Sequence, residues 1–139
     1  MPIVFNSIDT TISTSSDDSW EDIPGLSISV IEHSLKRSTK ALIILNIPTP
    51  YASGNDYPAV TFAITMNSKV LASSTISYDY SRPDSFGRRP ATVQTCIDLT
   101  DTNSLGSIQA KWKASRKSIG HIDSYCSISA IIDEPLPGH

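Results

Sequence analysis

The chain has 139 residues, 39% of them apolar and 18% charged, with 11 basic against 14 acidic side chains and a formal charge of −3. That describes one ordinary domain, able to bury about two-thirds of the surface its unfolded chain exposes without a metal or disulfide staple. The balance excludes a disordered tail and a generic polyanion or nucleic-acid binder, and no apolar run approaches the length needed to cross a bilayer.

Ser and Thr crowd the sequence while helix formers are thin, and prolines and glycines are spread along it, which favours many short strands in a single unit. The start, MPIVFNSIDT, lacks the basic-then-apolar order of a secretory signal. The expectation is a soluble protein made in the cytoplasm and then released or displayed, without membrane insertion. Residues 1–19 read as a strand and loop region that ends in TTISTSSDDS. Pro24 and Gly25 read as a turn, after which Leu26, Ile28 and Val30 alternate as a strand. Residues 41–47 (ALIILNI) are apolar on both phases. Val60, Phe62, Ile64 and Met66 share one face, and after Asn67 and Ser68 the chain resumes as Lys69, Val70, Leu71 and Ala72, the pattern of a β-hairpin. Val93, Thr95, Ile97 and Leu99 alternate with polar neighbours, as do Ile108, Ala110, Trp112 and Ala114, so each of these strands has one dry face and one polar face. Residues 127–132 (SISAII) are nearly dry on both phases, and residues 133–139 read as an exposed tail.

A strand that is dry on both sides needs cover on its outer face, from a second subunit or from a long loop. With short strands, frequent turn signals and no internal repeat, the predicted architecture is an all-β jelly-roll sandwich spanning residues 1–139 as one domain.

Cys96 falls on the polar phase of its strand and Cys126 on the dry phase of its own, so they point to opposite faces and are predicted to be free thiols. His33, His121 and His139 show no metal-ligand spacing. His121, Asp123 and Ser124 are hydrolase residue types, but a triad is defined in space and no GxSxG elbow is present. These residues read as polar ties between a loop and the last strand. No catalytic function, cofactor or metal is expected.

Two segments carry more specialised chemistry. Residues 77–90 (SYDYSRPDSFGRRP) gather tyrosines, aspartates and arginines around a proline and a glycine, and residues 111–120 (KWKASRKSIG) place basic residues around Trp112 before a turn. Arginine presents a planar fork of donors suited to adjacent hydroxyls, and tyrosine an amphipathic face that packs on the C–H surface of a sugar. That mixture suits carbohydrate. Lys111, Lys113 and Lys117 read as solvated surface charges.

At these residues the sequence is similar to a known family. DIPGL (22–26), ILNIPTPYASGNDYP (44–58), SYDYSRPDSFGRRP (77–90) and KWKASRKSIGHIDSY (111–125) resemble, in the same order, the TNF-like, fucose-binding N-terminal domain of a bacterial two-domain superlectin. The resemblance implies a TNF/C1q-like jelly roll assembled as a homotrimer, with metal-independent sites for L-fucose and fucosylated glycans of the H and Lewis types between protomers. It assigns Tyr51, Ser85 and Arg88 of one protomer and Ser77, Tyr78 and Arg116 of its neighbour to the sugar. Both arginines grip hydroxyls, both tyrosines shape the pocket, and Asp84 lies near the reducing-side residues of a longer glycan. Asp123 and Ser124 match the motif as an extended subsite or as loop support. Thr61 replaces a family tyrosine and Phe86 a family threonine, changing the pocket's walls. The alternative is a structural or adhesive TNF/C1q-like trimer whose loops contact protein without sugar recognition.

Overall fold

The β-rich composition is expressed as eleven strands, seen in a computed structural model that describes residues 2–35, 37–54, 56–78 and 89–134. In chain order they are β1 (Ile3–Ile8), β2 (Ile12–Thr14), β3 (Glu21–Ile28), β4 (Lys40–Ile47), β5 (Pro50–Ser53), β6 (Ala59–Met66), β7 (Lys69–Ser77), β8 (Ala91–Asp98), β9 (Ile108–Ser115), β10 (Ile119–Ile122) and β11 (Cys126–Ile132). A one-turn helix, α1 (Ile31–Leu35), follows β3. Its apolar residues do not repeat over enough turns to announce it in sequence, and Leu35 is 75% exposed.

Pairing is antiparallel and nested: β1 with β11, β2 with β10, β3 with β9, β4 with β8, and β6 with β7. The chain therefore runs out and back as one long hairpin rolled on itself, which is the jelly roll expected. The roll produces a sheet of order β1-β11-β4-β8, a sheet of order β3-β9-β6-β7, and a three-stranded sheet β2-β10-β5. Alternate side chains of the two four-stranded sheets fill the space between them. Ile43, Leu45, Ile47, Ile64, Ile108 and Ile128 are wholly buried there, and Trp112 stacks on its cross-strand partner Phe62 with ring centroids 6.1 Å apart.

The hairpin at Asn67 and Ser68 forms as expected, with φ of 53° and 63° giving the left-handed pair that matches strand twist. Pro24 and Gly25 do not form a turn ahead of a strand. They lie inside β3, where the register to β9 shifts between Asp22 and Ser27 and Gly25 takes φ 81°. A proline lacks the ladder donor and a glycine accepts left-handed φ, so the same dipeptide serves a turn or a bulge. Gln109 secures this bulge, its amide donating to the carbonyls of Ile23 (3.2 Å) and Leu26 (3.1 Å). Val30 lies beyond the end of the strand.

Strand β6 departs from the expected dry and polar faces, because Thr61, Ala63 and Thr65 are buried as well as Val60, Phe62 and Ile64. It is the third strand of a four-stranded sheet, and its outward residues lie opposite Lys113, Lys111 and Gln109 of β9, whose long stems shelter them. The lysines are not simply solvated: Lys113 lies over the Trp20 ring at 4.7 Å and Lys111 pairs with Asp22 at 3.2 Å.

The outer face of the other sheet behaves differently. Register aligns Ile3, Ile131, Leu42 and Cys96 in one row and Phe5, Ser129, Ile44 and Gln94 in the next. Leu42, Ile44 and Ile131 are half-buried, while Ile3 and Phe5 are 64% and 57% exposed. Among the described residues, no loop closes over this apolar face. Cys96 is exposed and Cys126 buried, both as free thiols as expected, and burial pushes the Cys126 thiol up to about 12.

The C-terminal segment is tied down further than a tail beginning at residue 133 implies. Asp133 accepts from the backbone N–H of Thr39 (2.8 Å) and of Lys40 (3.0 Å) and from the Thr39 hydroxyl. Residues 135–139 lie outside the described residues. The Thr39 hydroxyl, then the Lys40 N–H, hold the Asp133 carboxyl below the usual aspartate range. A depressed carboxyl stabilises the fold above its unfolded pKa, and that contribution disappears as pH falls through the folded value. Asp133→Ala is therefore expected to lower the melting temperature at pH 7 and to narrow its gap from wild type below about pH 4, as read by thermal denaturation across pH. An unchanged gap at acid pH would mean that the carboxylate is not the stabilising form.

Candidate carbohydrate site

The β9–β10 connection is a tight turn in which Arg116 and Lys117 both take left-handed φ, 54° and 57°. Neither is glycine, so the turn is held against its own preference. Ser118 N–H donates to the Ser115 carbonyl (3.1 Å), and Lys117 N–H to Asp17 Oδ1 (3.0 Å). Ser118 is 1% exposed; its hydroxyl donates to the Ser115 carbonyl and accepts from Ala59 N–H at 3.2 Å, joining the turn to the start of β6. The Arg116 side chain is fixed in turn, because its Nε–H donates to the Tyr57 carbonyl at 2.9 Å. One end of the guanidinium is anchored on backbone, and its two Nη groups remain as donors for a ligand.

Register brings Ser77 and Tyr78 to the same place. Ala59 pairs with Ser77 on one side and with Ser115 on the other, and Tyr78 N–H donates to the Pro58 carbonyl at 3.0 Å. Ser77 is exposed and Tyr78 is packed into the core at 6% exposure, so their side chains point to opposite faces, while the backbone brings both positions to the sheet end that carries the Arg116 turn.

Tyr51 belongs to a neighbouring element. It lies on β5, paired with His121 of β10, and the two rings stack at 4.2 Å with an interplanar angle of 8°. His121 Nε2 is 2.9 Å from Ser53 Oγ. The pairing places Tyr51 two residues along β5 from Ser53, about 7 Å at strand rise, on the side away from the Arg116 turn. His121 is the neighbour of Tyr51 that sequence reasoning did not assign, since its contact with Tyr51 depends on a pairing between distant strands.

Thr61 is buried two positions inside β6, and its hydroxyl is 2.8 Å from that of Thr75. At this position the smaller residue closes on its own sheet. Asp123 and Ser124 lie beyond β10, away from the Arg116 turn, and are bonded to neighbouring loop residues. The Asp123 carbonyl accepts from the Thr49 hydroxyl and from Tyr125 N–H (3.1 Å), and the Thr11 hydroxyl donates to Asp123 Oδ1 at 3.4 Å. Ser124 N–H donates to Thr11 Oγ1 at 3.3 Å. Asp84, Ser85, Phe86 and Arg88 lie outside the described residues. No cluster of metal-binding side chains occurs among the described residues.

The nested jelly roll, with an anchored arginine and an exposed serine at one sheet end, is a β-sandwich domain carrying a candidate polar binding surface. The family model described as "Bc2l-C, N-terminal domain" matches residues 9–131, and the chain belongs to that family of TNF-like lectin domains. No curated protein matches the sequence significantly. Among solved structures, the chain is similar to the TNF Eiger of S. frugiperda, with 12% identity and a TM-score of 0.48, covering 100% of this chain and 99% of that one. It is also similar to VP2 of infectious bursal disease virus in a subviral particle, with 10% identity and a TM-score of 0.43, covering 99% of this chain but 38% of the viral one.

Proposed function

We propose that this lectin binds terminal L-fucose and fucosylated glycans of the H and Lewis types at clefts between protomers of a homotrimer. The observation that carries the reading is the placement of the exposed Ser77 and the backbone-anchored Arg116 at one sheet end, in a chain that belongs to this lectin family. Arg116 offers its Nη pair to vicinal hydroxyls and Ser77 adds a hydroxyl that both donates and accepts, while Tyr78, packed into the core, supports this sheet end from beneath. Tyr51, held flat against His121, is the tyrosine that a neighbouring protomer contributes, with Ser85 and Arg88. The apolar outer face of β1, β11 and β4 supports assembly, since a sheet face with Ile3 and Phe5 in water gains from cover by a second copy.

The test is a panel of fucosylated and non-fucosylated glycans probed with the purified protein, with L-fucose as competitor. Selective binding that the monosaccharide inhibits is expected. A trimer indifferent to every fucosylated glycan would overturn the reading in favour of an adhesive trimer that contacts protein.

A further inference from the structure

We propose that Ser118 is a positioning residue of the sugar site: its buried hydroxyl sets the separation of the two backbone segments between which the Arg116 guanidinium is held. That Arg116 meets a sugar rests on the lectin reading above. The bond from Arg116 Nε–H to the Tyr57 carbonyl (2.9 Å) joins the β9–β10 turn to the segment that enters β6. Its geometry therefore depends on where residue 57 stands relative to residue 116.

The register between β6 and β9 reaches as far as the pair Ala59 and Ser115, so Tyr57 and Arg116 both lie beyond its last rung. At that rung a side chain joins the two strands. Ser118 Oγ–H donates to the Ser115 carbonyl while Oγ accepts from Ala59 N–H at 3.2 Å, so one hydroxyl bonds a backbone group on each side of the pair. Ser118 N–H also donates to the Ser115 carbonyl (3.1 Å), which fixes the turn that carries the hydroxyl. Ser118 follows Arg116 by two residues and Ala59 follows Tyr57 by two, so a shift at the hydroxyl is passed to both ends of the anchoring bond. The same segment holds Tyr78, whose N–H donates to the Pro58 carbonyl at 3.0 Å.

Burial makes the hydroxyl hard to replace. Ser118 is 1% and Ala59 2% exposed, and Gly54 lies against the serine, since a Cβ there would stand 3.4 Å from Ser118 Cα and 3.5 Å from its Oγ. A buried N–H left without an acceptor costs more than the bond itself contributed. In Ser118→Ala, Ala59 N–H regains an acceptor when the segment entering β6 closes on Ser115, and that movement changes the place of the Tyr57 carbonyl relative to Arg116 Nε. The guanidinium then loses the fixed orientation of its Nη pair.

The test compares wild type with Ser118→Ala by two readouts taken well below the melting temperature. One is hydrogen exchange of the Arg116 Nε–H, followed by NMR and assigned by its disappearance in Arg116→Ala; the other is affinity for methyl α-L-fucoside by titration calorimetry. The variant is expected to exchange this proton at least about tenfold faster and to bind the fucoside about tenfold more weakly. A variant that melts lower yet keeps both readouts at wild-type values reduces Ser118 to a stabilising residue and overturns the proposal. Weaker binding with an unchanged Nε–H overturns it too, because the loss then bypasses Arg116. Faster exchange with unchanged binding overturns both the proposal and the place of Arg116 in the site. If wild type ignores the fucoside, the lectin reading fails and the Nε–H readout alone decides whether Ser118 orients the guanidinium. Should the alanine variant not fold, Ser118→Cys, which keeps the shape with a weak donor and acceptor, is expected to move both readouts in the same direction.

Discussion

Replacing Arg116 by alanine is expected to remove saccharide binding while leaving the fold and the assembly intact. The guanidinium is held by one bond to the Tyr57 carbonyl, so its Nη pair meets a ligand already oriented. Charge-assisted hydrogen bonds contribute about 1.5–3 kcal/mol each, and losing two lowers affinity by at least about a hundredfold. A weak monosaccharide site would then fall silent even with the avidity of several copies. Arg116→Lys is the informative companion, because lysine keeps the charge but cannot both grip the Tyr57 carbonyl and present a planar pair of donors. It should recover little. A glycan panel alongside a melting curve separates outcomes: unchanged melting with lost binding supports the site, and binding retained within tenfold places the sugar elsewhere. Arg88→Ala is expected to act alike through the partner protomer.

Ile44→Lys is expected to give a well-folded monomer that no longer binds glycan. Ile44 occupies the middle of the outer row formed with Phe5 and Ser129, half-buried on the sheet's apolar face. Its side chain points away from the core that Ile43 and Leu45 fill, so the substitution spares internal packing. Burying an unpaired ammonium in an interface costs several kcal/mol, enough to dissociate an assembly built on that face. Light scattering reads the mass and the panel reads the function. If the variant remains trimeric, the assembly uses another face; if it is monomeric yet binds fucose normally, the site does not lie between protomers.

The parts of this structure that were legible in sequence are those governed by neighbours in the chain. The hairpin through Asn67 and Ser68 rests on a local turn and a period of two, and β9 keeps its alternation because one face packs against the core. What could not be read depends on partners far away. His121 and Ser53 are 68 residues apart, and nothing at either position announces that β5 and β10 pair so as to stack Tyr51 on the imidazole. The bulge at Pro24 and Gly25 was misread because a turn and a bulge ask for the same residues. β6 was misread because the cover over its threonines comes from lysine stems on the neighbouring strand. For the candidate site, family resemblance supplied Ser77, Tyr78 and Arg116. The anchor of Arg116 is a backbone carbonyl, and no side-chain identity at Tyr57 reveals it.

The nested pairing also spreads the contacts of the fold along nearly the whole chain. A chain folded as one rolled hairpin can start at β6 and β7, whose partners are neighbours in sequence, but it finishes when β1 meets β11 across almost its whole length. Such distant pairings make folding slow, on the millisecond-to-second scale typical of sandwiches and barrels. The pair most distant in sequence carries Ile3 and Phe5 on the outer apolar face. Assembly through that face would therefore act as a checkpoint on completed folding, admitting only chains whose two ends have already found each other.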